Sequence, residues 1–202
     1  MNEYKIFLGE RFFLISKDEE KCFTSLNGMG TRITDYSDVN EMFNFFEQSD
    51  ILEFYLYTES PEKVFNALIS QNKFITAAGG VVFNEKNEIL LIHRLGYWDL
   101  PKGKIEKGEE EIVAACREIE EECGIRNVKV SEKITDTYHV YCQNDKRVIK
   151  RTGWYNAYYN GNDALVPQTE EGITEVKWVT RESLIDYIPR MYASIREVIN
   201  LI

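Results

Sequence analysis

Residues Gly103–Ile125 read GKIEKGEEEIVAACREIEEECGI, and the remainder of this 202-residue chain is best understood outward from them. From Glu110 to Glu122 the composition favours a helix, and Ile112, Cys116, Ile119 and Cys123 recur at intervals of four, three and four, the spacing of one buried stripe. Gly124 is placed to end that helix with a positive φ, and Ile125 to make the apolar contact that closes it. Glu118, Glu121 and Glu122 stand at i, i+3 and i+4, so their carboxylates can converge beside the stripe. Three like charges so close repel one another. A hard divalent cation turns that repulsion into attraction, and carboxylates with water and phosphate oxygens form the shell expected for Mg2+, with Mn2+ suited to the same ligands. Arg117 can pair with Glu121 or with Glu109, and either contact would orient a metal ligand.

Upstream, Gly96, Gly103 and Gly108 relax the backbone around Trp98-Asp99-Leu100-Pro101, while Lys102 and Lys104 add positive charge. Such a loop can approach phosphate closely. Metal helix and cationic loop together imply chemistry on a polyanion. The ordinary alternative for the three glutamates is a solvated acidic helix face; the fixed separations of Gly103, Glu109, Arg117 and Gly124 around them favour the metal.

These spacings resemble the signature of the Nudix family: Gly, five residues, Glu, seven residues, Arg-Glu, an aliphatic, any residue, Glu-Glu, any residue, Gly, and an aliphatic. Gly103, Glu109, Arg117-Glu118, Ile119, Glu121-Glu122, Gly124 and Ile125 occupy every position. The broader resemblance runs from about Phe74 to the C terminus. It implies an α/β fold, a Nudix α/β/α sandwich with a mixed sheet, and hydrolysis of a nucleoside diphosphate linked to another moiety. It also implies that Glu118, Glu121 and Glu122 are the metal carboxylates, Arg117 their orienting partner, Glu109 a supporting acid, and Gly103 and Gly124 structural. The general base is Glu122 or a glutamate from the distant segment PQTEEGITEVKW, which holds Glu170, Glu171 and Glu175; Glu171 is favoured. Lys102, Lys104 and, on a later strand, Arg151 are the phosphate candidates. The wider pattern looks most like diadenosine polyphosphate and MutT-like hydrolases.

Around the helix, strands are expected at Phe74–Phe83, Glu88–Arg94, Val128–Thr137, Arg147–Tyr158 and Thr174–Val179. A terminal helix is expected over Arg181–Ile188, restarting after Pro189 through Ile199. Residues 73–202 thus form one domain, and 1–72 read as a small α/β appendage of ββαβα type. Its elements are a hairpin of Tyr4–Leu8 and Arg11–Ile15 about Gly9-Glu10, a helix over Asp38–Phe46, a strand over Ile51–Tyr57 and a helix from Ser60-Pro61-Glu62. The appendage carries no reactive spacing; a homodimer interface or substrate cap is its expected use.

The formal charge of −10, from 34 acidic residues against 24 Lys and Arg, supplies no basic field for a nucleic-acid polymer, so a small nucleotide-derived substrate is expected. Hydrophobic residues at 44% form a core-building composition. Cys22, Cys116, Cys123 and Cys142 lack paired spacing and read as reduced thiols. The opening MNEYKIFLGERFFLIS is broken by charges, which argues against a membrane span and for a cytoplasmic location. His93 reads as a packing residue, while His139 in TYHVY has some prospect of facing substrate. Tyr97, Trp98, Tyr138, Trp154 and Tyr155 are candidates to stack on a base, although each is more often a packing residue. A catalytically silent nucleotide-binding regulator on the same scaffold is the alternative.

Overall fold

The computed structural model describes residues 3–202. In chain order the elements begin with β1 (Glu3–Leu8), β2 (Arg11–Ser16), α1 (Glu19–Thr24), β3 (Gly28–Arg32), α2 (Val39–Gln48), β4 (Glu53–Tyr57) and α3 (Pro61–Ser70). There follow β5 (Lys73–Asn84), β6 (Ile89–Arg94), β7 (Tyr97–Asp99), β8 (Lys102–Lys104), α4 (Glu111–Cys123), β9 (Lys129–Gln143), β10 (Lys146–Tyr159), β11 (Ile173–Val179) and α5 (Ala193–Ile199). Two compact units result: the residues as far as Ile75 together with Tyr138–Lys150, and Thr76–Thr137 together with Arg151–Ile202.

The first unit orders its strands β9-β1-β2-β4-β3, with β1 antiparallel to β2 and the other neighbours parallel. Gly9 supplies the positive φ of the two-residue turn between β1 and β2. Alternation along the strands puts Tyr4, Ile6, Phe13, Ile15, Phe54 and Leu56 on one face, against Val39, Phe43 and Phe46 of α2 and Val64, Phe65 and Leu68 of α3. Pro61 opens α3 at a position where a missing amide costs nothing. Two elements go beyond the expected ββαβα order, α1 and β3. α1 is a helix of six residues, buried only through Cys22 and capped by Asp18, which accepts from the Lys21 amide at 3.0 Å. β3 is the glycine-rich GMGTR, whose strand propensity is weak until β4 pairs with it.

The expected boundary at residue 72 is a single cut. The observed division differs because β9 and β10 run beyond their expected ends to a tight turn at Asn144-Asp145. Both turn residues have positive φ, as a two-residue hairpin of this hand requires. The hairpin's tip pairs with β1, Ile6 opposite Tyr138 and Phe7 opposite His139, and so belongs with the first unit.

The second unit orders its strands β11-β6-β5-β10-β9, with the short β7 and β8 paired to β6 and β5. One face packs Val82, Leu90, Ile92 and Ala157 against Ile119 and Cys123 of α4. The opposite face packs Val81, Phe83, Leu91 and Trp154 against Leu184, Ile195 and Val198 of the C-terminal segment. A mixed sheet with helical segments on both faces is the layered α/β arrangement expected. Two local expectations need correction. Ile112 is 38% exposed and Cys116 only half-buried; the inward face of α4 is Ala114, Ala115, Ile119, Glu122 and Cys123. The helix lies so close to the sheet that a Cβ on Gly80 would stand 2.9 Å from Ile119 Cδ1, which puts small residues inward and turns Ile112 out. The expected helix over Arg181–Ile188 is instead two 3-10 turns, Glu182–Asp186 and Ile188–Arg190, since Pro189 has no amide to bond back to Ile185.

Candidate active site

Gly124 ends α4 in the left-handed region (φ 70°), its amide bonding to Glu120 O at 2.9 Å, and Ile125 is buried behind it. The next two free carbonyls at that helix end are used by a distant segment: Val166 N–H bonds to Cys123 O at 3.0 Å and Gln168 N–H to Glu122 O at 3.2 Å. Those bonds carry the turn Thr169–Glu171 to the C-terminal end of α4.

Arg117 is the hub of the helix's exposed side. Its Nε and Nη2 donate to the two oxygens of Glu109 at 2.8 and 2.9 Å, and its Nη1 donates to Glu118 at 2.8 Å and Glu121 at 3.1 Å. Nη2 also reaches Lys104 O at 3.1 Å. The Arg117 bonds, with the Glu106 amide, hold the Glu109 carboxyl down to about 2. Opposite α4, β8 pairs Gly103 with Ala78 and presents a backbone with no side chain; a Cβ on Gly103 would stand 1.8 to 2.4 Å from the Glu118 carboxylate. Glycine there is the condition for Glu118 to lie where it does.

Glu122 is 1% exposed and its Oε2 accepts the Lys102 amide at 2.9 Å. Burial pushes its carboxyl up to about 7, against the pull of Lys102 and Arg94. Burial likewise raises Glu118, opposed by Arg117 and reinforced by the negative charges of Glu121 and Glu171. The bond from Gln168 N–H to Glu122 O brings the turn of the distant candidate base, Glu171, into this neighbourhood. Glu175, by contrast, lies along β11 beside Lys177.

The cationic candidates fare differently. Lys102 Nζ is paired with the buried Asp99 at 2.5 Å; this residue acts on Glu122 through its charge and through the amide that Glu122 accepts. Lys104 is exposed at the end of β8. Arg151 bonds to Glu111 at 3.0 Å and Asp136 at 2.8 Å, beside Lys133, in a balanced cluster of two cations and two carboxylates at the opposite end of α4 from Glu122. Of the aromatic candidates, Trp98 and Trp154 are core residues, Tyr138 packs on Tyr4 and Phe65 in the first unit, and Tyr155 is wedged beside Ala114 and Ala115. Tyr97 alone stays open to solvent, 44% exposed and stacked on Tyr192 at 4.5 Å. His93 packs on Trp98 and bonds Thr174 through Nδ1 at 2.8 Å; His139 stacks on Tyr141 in the first unit.

Two site residues are missed by the sequence reading. Asp99 fixes Lys102, and Arg94, the last residue of β6, donates from Nη2 to Glu171 at 2.9 Å. Arg94 does carry a signal in the sequence: it is the cation that closes the apolar run ILLIHR immediately before the glycine turn.

Among the described residues no three acidic, His or Cys side chains are drawn together as an ion cage. Arg117 holds Glu118 and Glu121, and the Lys102 amide holds Glu122. The donor set nevertheless fits a hard divalent cation: three carboxylates on one side of one helix, all oxygen donors, one of them buried without a side-chain cation bonded to it.

The NUDIX domain model matches residues 73–202. The RNA pyrophosphohydrolase of Pelagibacter ubique is 26% identical over 124 residues, 54% of this chain and 78% of that protein. The 8-oxo-(d)GTP phosphatase of Mycolicibacterium smegmatis is 30% identical over 128 residues, 56% of this chain but only 37% of that protein. In three dimensions the MutT protein of Methanosarcina mazei Go1 superposes with a TM-score of 0.50 at 23% identity, covering 64% of this chain and 93% of its own, a likeness of fold alone.

Proposed function

This chain belongs to the Nudix family, whose hydrolases generally use divalent metals, and from that premise we propose that it hydrolyses a phosphoanhydride bond in a nucleoside diphosphate linked to another moiety. Dinucleoside polyphosphates, ADP-ribose and nucleoside triphosphates are the substrates of this class. Glu118, Glu121 and Glu122 hold Mg2+ or Mn2+. The observation that carries this reading is the packing of the Glu118 carboxylate on Gly103, where only the absence of a side chain leaves room for it, on the same helix as Glu121 and Glu122.

When bound, the ion supplies positive charge that offsets the carboxylates and the phosphates and polarises the bond to be broken. The chain's own residues do the rest. Arg117 turns the Glu118 and Glu121 carboxylates and fixes Glu109. The Lys102 amide fixes Glu122. Glu171, on its turn at the end of α4, takes the proton of the attacking water, and Lys104 is the exposed cation for a phosphate oxygen.

A second reading is supported by the relatives called RNA pyrophosphohydrolases: the phosphoanhydride belongs to the 5′ end of an RNA. The net charge of −10 weighs against it. The test is a panel of ADP-ribose, nucleoside triphosphates, diadenosine polyphosphates, nucleotide sugars and 5′-triphosphorylated RNA, with Mg2+ or Mn2+, in heavy-oxygen water. We expect turnover of a small nucleotide, with the label in one phosphate product. Turnover of the RNA alone would move the assignment to the second reading, and binding without turnover would make the chain a silent regulator.

A further inference from the structure

Glu171 sits on a 3-10 turn whose backbone is tied to α4 but whose side chain is half-exposed, and a half-exposed glutamate samples many rotamers. A group that is to accept a proton has to be kept within hydrogen-bond reach of it, and a displacement of about 1 Å costs on the order of a hundredfold in rate. What restricts Glu171 is Arg94. Antiparallel pairing sets Arg94, the last residue of β6, opposite Ile173, the first of β11, so its guanidinium meets the residue two before its cross-strand partner. Nη2 of Arg94 lies 2.9 Å from Glu171 Oε2. The next residue, Leu95, is held at a φ of 51° and lines the space beside Gly172, which ends the Glu171 turn at a φ of 76°. The Leu95 side chain and the Arg94–Glu171 ion pair therefore both lie against the turn. The Glu171 turn is itself tied to the C-terminal end of α4, since Gln168 N–H at its start bonds to Glu122 O at 3.2 Å, so the Arg94–Glu171 pair stands at that end of the helix. Arg94 Nε is buried with no acceptor among the described residues, which leaves the guanidinium a second donor beyond the one spent on Glu171.

We infer that Arg94 is a positioning residue for the reaction, acting through Glu171, whose carboxylate it holds at the C-terminal end of α4. This rests on the hydrolase reading above and adds to it a residue outside the Gly103–Ile125 stretch. A lysine at 94 would retain the charge but offer a point donor in place of a planar fork, so it should restore part of the alignment.

The test is a four-cornered comparison on the full chain: wild type, Arg94→Met, Glu171→Gln and the double variant, with Arg94→Lys beside them and thermal unfolding recorded for each. Expected are a fall in kcat of roughly a hundredfold or more for Glu171→Gln and of about 10- to 100-fold for Arg94→Met with KM within about threefold. The double variant should be no slower than Glu171→Gln, and Arg94→Lys should recover about half of the loss on a logarithmic scale. Losses that multiply in the double variant, or an Arg94→Met effect confined to KM, would overturn the inference while leaving the hydrolase reading intact. If Arg94→Met does not fold, the same cycle run with Arg94→Lys decides, because multiplicative losses there would overturn the inference equally. No turnover of any substrate by the wild type would remove the hydrolase reading, and the role of Arg94 with it.

Discussion

Arg117 in the second unit and Arg147 in the first each gather oxygens from four residues, and they do so for opposite ends. Arg147 bonds to Asn40 at 2.9 Å, to Asn72 at 3.3 Å, and to Asn44 and the carboxylate of Glu47, with its guanidinium 4.9 Å from the centre of the Phe43 ring. One positive charge meets one negative charge, and three neutral amides share the two Nη groups, while the buried Nε has no acceptor among the described residues. Arg117 instead meets three carboxylates and one carbonyl, one positive charge against three negative. The first arrangement is balanced in charge and reads as a rivet between the hairpin tip and α2. The second is two charges short, and a buried fourth carboxylate, Glu122, lies on the same helix. Uncompensated negative charge, rather than the number of ion pairs, is what singles out α4 as the candidate site.

The sharpest way to break this comparison is neutralisation. Glu118→Gln and Glu122→Gln should each lower kcat by roughly a thousandfold with folding intact, since each removes a ligand of the proposed ion. Arg147→Met should leave kcat within about twofold. Equal effects on both sides would end the distinction. Conversely, Arg147→Met should cost about 2 kcal/mol of stability in urea unfolding, because Glu47 and three amides lose their donor in a mostly buried place.

Acid–base behaviour sharpens the contrast further. Glu122 is raised to about 7 from an ordinary 4.5, so its contribution to stability is fully present below about 4.5 and is lost as pH rises through about 7. In protein freed of divalent ions, Glu122→Gln should therefore be more stable than wild type at pH 8 by about 2 kcal/mol, the gain shrinking to nothing by pH 4. Glu109, lowered to about 2, behaves oppositely: its contribution is present above about 4.5 and lost as pH falls toward 2. Unfolding midpoints across pH for wild type, Glu122→Gln and Glu109→Gln would reveal whether the two slopes have opposite sign. The smallest effect expected is that of Gly124→Ala, about 1 to 2 kcal/mol by thermal unfolding. The new Cβ would carry left-handed strain and stand 2.6 Å from that of Val166.

The α4 helix is legible because its information is local. The run from Glu110 to Gly124 carries its own periodicity and stop, and the i, i+3, i+4 glutamates follow from helix geometry alone. Its inward face is misplaced at Ile112 because periodicity gives the direction of a stripe but not how near the sheet comes; Gly80 decides that. Arg151 looks like a phosphate ligand because no sequence pattern reveals Glu111 and Asp136 waiting beside it. The turn at Asn144-Asp145 is a local signal too, and the full length of β9 and β10 hangs on it.

The family, the glutamate-bearing helix α4, the pairing of Arg117 with Glu109 and Glu121, and the two helices and hairpin of the first unit were already written in the sequence, because all rest on neighbours within a few turns or residues. Only the tertiary structure decided that Lys102 pairs with Asp99, that the tip of the β9–β10 hairpin belongs with the first unit, and that Arg94 meets Glu171, 77 positions further along the chain. The physical reason is that helix and turn signals act over a few bonds. Charge pairing acts through space, and the partner that neutralises a side chain is known only once strand register has brought it near.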